Sequence, residues 1–304
     1  MSSSSTPAPA PRPAVTPHGT SGVIVGFDGS DLSRQALAWA AEEAVRRTAP
    51  LHVVQVVPDL SLSAAYGIFA EDQPPPTADS DVAQAAEEVR AAHEGLAVTS
   101  QFLLGRPARE LVRASLGAAL VVVGAHGHGR LTGKLLGSVS QQVAAHAHSS
   151  VVIVRGGEPR TGPVVVGVDT SPGASMALDF ALAHAARSGS PVLAVHAAYV
   201  EPGLPLNVPP GFWVRSEDAA LEEEAEATAA AVDRAAERYP DVTVTLNSAR
   251  EHPVEALLRA ASGASLVVVG SRGLGGFTGL MLGSVSQGVL STAERPVAVA
   301  RTAR

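Results

Sequence analysis

The chain contains no cysteine, which excludes disulfides, thiolate chemistry and cysteine-ligated zinc in one step. It has no apolar run near the roughly 20 residues that a membrane-spanning helix needs. The opening segment "MSSSSTPAPAPRPAVTPHG" lacks the apolar centre of a secretory signal, so the expected location is cytoplasmic. Positive charge is scarce: the formal net charge is −7, which argues against a general nucleic-acid binder, because such proteins carry a basic face. Any anionic ligand must therefore be held by local groups rather than by the field of the whole molecule. Apolar material is plentiful. A hydrophobic fraction of 46% over 304 residues is enough for two cores, and the length suits about two domains.

Residues 1–20 are Ser, Thr, Pro and Ala with almost no bulky apolar side chain. They cannot offset the entropy of ordering and are expected to form a disordered tail. After them, "GVIVGFD" from Gly22 reads as a short buried strand. "DLSRQALAWAAEEAVRRT" carries apolar residues at helical spacing, with Asp31 expected as its N-cap. "LHVVQVV" from Leu51 is a second strand. Beyond a Pro-rich loop come a helix in "DVAQAAEEVRAAHEG", a strand in "LAVTSQFLL", a helix opened by Pro107 and a strand in "AALVVVG". A helix from Ser138 and the strand "VVIV" at Val151 close the unit. Strands that are apolar throughout, alternating with helices, predict an α/β fold whose parallel sheet is covered on both faces.

The pattern then restarts at "GPVVVGVDTSPGASMALDFALAHAARSG" from Gly162. Ala118–Arg155 aligns with Ala264–Arg301 without gaps, and 20 of the 38 positions are identical. The chain is a duplication, with one domain over 21–155 and a second over 163–304. The linker "GGEPRTG", residues 156–162, is too short to let the halves swing freely, so they are expected to pack on each other.

Each half carries glycines spaced G-x2-G-x9-G-S. They are Gly124, Gly127 and Gly137 with Ser138 in the first half, and Gly270, Gly273 and Gly283 with Ser284 in the second. A strand ends at the first Gly, and the last Gly-Ser opens a helix. Glycine lets backbone N–H groups turn inward and lets a ligand approach without a Cβ in the way. A helix N-terminus adds unpaired donors and a partial positive charge that suit a phosphate. In open α/β folds such a loop lies at the strand C-termini, where nucleotides bind. The alternative is that these glycines serve only tight turns and close helix-to-strand packing.

This doubled spacing resembles the ATP-binding branch of the universal stress protein family, whose motif is G-x2-G-x9-G-[ST]. The likeness covers both halves and extends to the Asp after strand one and to the "GRP" and "EHP" steps before the third helix. It implies two tandem doubly wound sheets, Rossmann-like and similar to the adenine nucleotide alpha hydrolases, each with five parallel strands in the order 3-2-1-4-5. It also implies an adenine nucleotide as ligand, ATP alone or with Mg²⁺. By the same resemblance Gly127, Gly137, Ser138 and Val139, and likewise Gly273, Gly283, Ser284 and Val285, wrap phosphates and ribose. Asp28 and Asp169 sit beside the nucleotide, although Asp at such a turn is also a common helix cap or Asx-turn former. Val56 and Ala197 meet the adenine through their backbone. In that family the last strand joins two domains into a dimer. Here the repeats are expected to pair within one chain, and a further homodimer is open.

Other signals are weaker. "HGRLTGKL" around Lys134 resembles a P-loop, but His128 stands where that motif needs Gly and Leu135 where it needs Ser or Thr. The first glycine loop carries His126, His128, Arg130 and Lys134 against only Arg272 in the second, so the first site is expected to hold a triphosphate more tightly. The His126/His128 and His146/His148 pairs are not repeated in the other half and have no carboxylate cluster, so no metal ligand is assigned. No G-x-S-x-G element or carboxylate pair suggests catalysis, and the turn "GFDGSD" lacks the His-x-Gly-His of a nucleotidylyltransferase. The sequence reading is a non-catalytic, ATP-binding stress or dormancy protein that is regulated by its ligand and has no nucleic-acid or membrane partner. Slow Mg²⁺-dependent ATP hydrolysis or phosphotransfer and a purely structural pairing module are the competing readings.

Overall fold

The computed structural model of the protein describes residues 22–58, 78–127, 136–156, 161–199, 210–273 and 281–302; the expected tail, residues 1–20, lies outside them. The first repeat runs β1 (Val23–Gly26), α1 (Asp31–Arg47), β2 (Leu51–Val57), α2 (Ala78–Ala92), β3 (Val98–Leu104), α3 (Pro107–Ala114), β4 (Leu120–Gly124), α4 (Ser138–His146) and β5 (Val151–Val154). The second runs β6 (Val164–Val168), α5 (Pro172–Ser188), β7 (Val192–Ala197), α6 (Pro210–Ala236), β8 (Val244–Ala249), α7 (Pro253–Ala260), β9 (Leu266–Gly270), α8 (Ser284–Thr292) and β10 (Val297–Ala300).

The valine runs form strands because both of their faces are covered. Val121, Val122, Val267 and Val268 are each fully buried, which β-branched side chains on a pleated surface favour. Within each half the strands are parallel in the order 3-2-1-4-5. The chain winds outward from β1 to β3, then crosses back to β4. The C-terminal ends of β1 and β4 therefore border a topological switch point, where a crevice opens. β5 and β10 run antiparallel side by side, with Ile153 opposite Val297 and Val151 opposite Val299, so that one ten-stranded sheet passes through both repeats. Two apolar layers flank it, one with α1, α2, α5 and α6, the other with α3, α4, α7 and α8.

The cap of α1 is a correction to the sequence reading. Ser30, not Asp31, is the N-cap: its hydroxyl accepts from the Ser33 N–H at 3.3 Å. Asp31 is the first helical residue, where its charge still complements the positive helix end. In α5 the equivalent Ser171 accepts from Ala174 N–H at 3.1 Å, and Pro172 takes the first helical position. At the other end of these helices the repeats differ. Gly189 terminates α5 in the left-handed region at φ 70°, whereas Thr48 terminates α1 there at φ 51°. Left-handed backbone is strained for a β-branched residue. Thr48→Gly is accordingly expected to raise stability by about 0.5–1 kcal/mol, measured by urea unfolding.

The repeats also exchange arginines. Arg301, just after β10, donates to the carbonyls of Ala145 and Ala147 at 2.9 and 3.0 Å, at the end of α4. Arg155, just after β5, donates to the Leu290 carbonyl near the end of α8. Each cation thus meets the negative end of a helix in the other repeat. Burial, with the charge of Arg272, lowers the Arg301 guanidinium to about 10.

Candidate functional site

The local sequence shapes the crevice at β1 and β4 from both sides. β1 leads into Phe27 and Asp28. The Asp28 carboxylate accepts through Oδ1 from the Ser30 N–H at 3.0 Å and from the Ser30 hydroxyl at 2.6 Å. That Asx-turn holds the acid at the mouth of the crevice while Ser30 caps α1. β4 ends at Gly124, and the chain returns at Gly137, whose N–H donates to the Ala125 carbonyl at 2.8 Å. Gly137 is the N-cap of α4 and supplies no side-chain cap. The first N–H groups of α4 therefore face the crevice without the hydroxyl that Ser30 and Ser171 provide elsewhere. The second serine of "GSVS" anchors the helix: Ser140 Oγ donates to the Gly124 carbonyl at 2.6 Å, and Ser286 Oγ to Gly270 at the same distance.

These elements enclose a cleft of about 290 Å³. Asp28, Val56, Gly124, Gly127, Gly137, Ser138 and Val139 all line it, so the structure brings together these seven first-repeat residues. They divide by chemistry. Val54, Val56, Leu111, Val123 and Val139 make an apolar wall, while Asp28, His126, Ser138 and the start of α4 make a polar end. Such a cleft suits a ligand with a flat apolar part and an anionic part.

The glycines do different jobs. A Cβ on Gly124 would come 3.0 Å from the backbone carbonyl of Leu32, so this position lets α1 pack on the strand end. A Cβ on Gly127 would fall 2.0 Å from Asp28 Oδ2, so this glycine makes room for the carboxylate. Phe27, Pro107 and Leu111 also line the cleft and were missed. They are apolar residues of ordinary core type: Leu111 of α3 reaches the cleft by packing over Gly26 of β1, and Phe27 by following directly on β1. His128, Arg130 and Lys134 lie outside the described residues.

In the second repeat the Asp169 carboxylate accepts from the Ser171 N–H at 2.8 Å, and a Cβ on Gly273 would lie 2.9 Å from Asp169 Oδ2. Gly283 caps α8 without a side-chain contact, its N–H donates to the Ser271 carbonyl at 2.8 Å, and it sits beside the backbone of Arg272 and Gly273. Ser284 opens α8. Ala197 ends β7, and together with Val285 of α8 it packs against the apolar layer on the cleft side of the sheet. One difference was not foreseen. Gly173 stands where the first repeat has Leu32, and a Cβ there would overlap the Arg272 carbonyl at 1.9 Å. The loop after β9 thus lies directly on the first turn of α5, and a Cβ on Gly270 would meet Gly173 backbone at 2.5 Å. The corresponding approach in the first repeat, from Gly124 to Leu32, is 3.0 Å, so strand end and helix lie closer in the second repeat. Among the described residues no three His, Asp or Glu side chains gather to hold a metal ion, and no helix is long and apolar enough to cross a membrane.

The sequence profile of the Universal stress protein family matches residues 21–155 and again residues 161–301. The chain is 38% identical over 302 residues to universal stress protein Rv1996 of Mycobacterium tuberculosis, covering 92% of this chain and 95% of that one. It is 37% identical over 300 residues to universal stress protein Rv2005c of the same organism, covering 92% and 97%. A crystal structure of a universal stress protein from Archaeoglobus fulgidus superposes with a TM-score of 0.64 at 22% identity, over 93% of this chain and 97% of the other. That last likeness concerns the fold.

Proposed function

The chain belongs to the universal stress protein family, and from that premise we propose that it binds ATP in the first-repeat cleft and acts as a ligand-regulated, non-catalytic protein of a cytoplasmic stress or dormancy response. One observation carries the reading: seven residues expected at a nucleotide, four from the glycine-serine spacing and three from the family resemblance, line a single cleft beside a helix N-terminus that has no side-chain cap. The N–H groups of Ser138 and Val139 and the Ser138 hydroxyl would meet the phosphates. Val54, Val56 and Leu111 would cover the base, and Asp28 would face the ribose hydroxyls or a phosphate-bound Mg²⁺.

Asp28 is the sole carboxylate among the described lining residues, and its Oδ1 is engaged by Ser30. This favours retention of the nucleotide over activation of water. The first cleft would hold a triphosphate more tightly than the second, whose loop sequence carries Arg272 as its one cation and crowds α5. The antiparallel β5–β10 contact supports pairing of the two repeats within one chain, in the way separate copies would pair.

Mass spectrometry of small molecules released by denaturing the purified protein is expected to find an adenine nucleotide. Calorimetry on the emptied protein is expected to register ATP. No heat and no melting shift with any purine nucleotide would overturn the proposal. Turnover that Mg²⁺ stimulates and that Asp28→Asn abolishes would replace it with the ATPase reading.

A further inference from the structure

α1 and α5 meet where the two repeats join. Both are 17 residues long, and Glu43 and His184 are the thirteenth residue of each. Glu43 Oε2 lies 3.0 Å from His184 Nδ1. Elements related by a two-fold axis bring equivalent positions together only at the axis, so this contact marks the pseudo-two-fold of the molecule. In an assembly of identical domains the two residues would be the same. Here they are a carboxylate and an imidazole, both buried.

Their surroundings repeat the asymmetry. Glu43 also lies 2.6 Å from Arg47 Nε on its own helix and 3.6 Å from Arg187 Nη2 across the boundary. Trp39 stacks on His184 with ring centres 6.1 Å apart, and the Arg47 guanidinium lies 5.6 Å from the centre of the Phe180 ring. Trp39 and Phe180 are themselves equivalent positions, the ninth of each helix. The contacts of Glu43 with His184 and Arg187, of Trp39 with His184 and of Arg47 with Phe180 cross the boundary and are lost if a repeat meets its own kind. Two copies of α5 would bury His184 and Arg187 against themselves with no carboxylate between them. Two copies of α1 would bring two Glu43 carboxylates together on the axis. The α5 pair would bury cations without an opposite partner, which is strongly destabilising. In the α1 pair each Glu43 would keep Arg46 and Arg47 of its own helix but would face a like charge in place of His184, which costs as well.

We propose that the inter-repeat face is heterotypic by construction: the first repeat, through Glu43, accepts the second repeat, through His184 and Arg187, and rejects a second copy of itself. Specificity of this kind comes as much from the penalty on the wrong pair as from the right one. The partner that fits the α1 face is therefore a second repeat, and not another first repeat. This inference goes beyond the nucleotide reading and does not depend on what the cleft binds.

The test is a charge exchange in the full-length chain. Glu43→His and His184→Glu are each expected to lower the melting temperature by about 5–10 °C, because each places like groups on the axis. The exchanged double variant, E43H with H184E, restores an acid facing an imidazole and is expected to return to within about 3 °C of the parent. A double variant that loses as much as the two singles combined overturns the proposal, since generic packing predicts addition. If a single variant does not fold, the milder set E43Q, H184Q and E43Q with H184Q replaces it. There the double is expected to lose less than the sum of the singles, and simple addition again overturns the proposal.

Discussion

Gly137→Val is expected to remove ATP binding at the first cleft while leaving the unliganded fold in place. The backbone of Gly137 is extended, at φ −67° and ψ 155°, so a β-branched residue introduces no backbone strain. Its Cβ would approach the Ala125 carbonyl and the His126 Cα at 3.2 Å, a tight contact that small shifts of the loop relieve. The methyl groups would then stand in front of the first N–H donors of α4, where a phosphate would lie. Displacing it is expected to weaken ATP at least about 100-fold, which corresponds to about 2.7 kcal/mol.

The readout follows from linkage. A ligand that binds only the folded state at 100 times its dissociation constant stabilises it by about 2.7 kcal/mol. For a domain of 150–250 residues that is a melting shift of about 5–10 °C. The parent is expected to show this rise, and Gly137→Val, together with Gly283→Val to silence the second crevice, is expected to show none. A folded variant that keeps its ATP affinity would sink the nucleotide assignment. Gly124→Ala makes an informative contrast, because its Cβ would press on α1 backbone and should reduce stability whether or not ligand is present.

The second large effect is expected at Glu43. Glu43→Ala leaves His184, Arg47 and Arg187 facing a hole with no counter-charge, and a loss of about 3–5 kcal/mol in urea unfolding at neutral pH is expected. Glu43→Gln, which keeps the volume, isolates the charge. Burial pushes the Glu43 carboxyl up, but the hydrogen bond and charge of His184, aided by Arg47, outweigh it and bring the value down from 4.5 to about 2. A carboxyl depressed in the folded state stabilises it at all pH above the unfolded value. That contribution, on the order of 3 kcal/mol, fades as pH falls from the ordinary carboxylate range towards the folded value. The stability gap between the parent and Glu43→Gln is therefore expected to be full at pH 6–7 and visibly narrower at pH 3. A gap independent of pH over that range would mean that the carboxylate is not held by its cationic neighbours.

Much of this molecule can be read along the chain because its determinants are local. Runs such as Leu120–Gly124 and Leu266–Gly270 announce strands covered on both sides, and the repeat of "GSVSQ" marks a duplicated loop-to-helix turn. The cap of α1 was misplaced by one residue because Ser30 and Asp31 are both good cap formers. Which of them closes the turn depends on the hydroxyl reaching Ser33 and on Asp28 reaching back to Ser30. Pro107 and Leu111 were invisible as cleft residues because nothing distinguishes them from core residues until α3 is laid over β1.

Periodicity and spacing report on neighbours a few residues apart, and so they determined the α/β class, the two repeats and the glycine turns. The asymmetries came from the three-dimensional arrangement. Gly173 admits the Arg272 carbonyl onto α5 where Leu32 stands in the first repeat, and Glu43 meets His184 at the axis. The physical reason is that both contacts join residues remote in sequence, and their energy depends on a distance that only the closed fold sets.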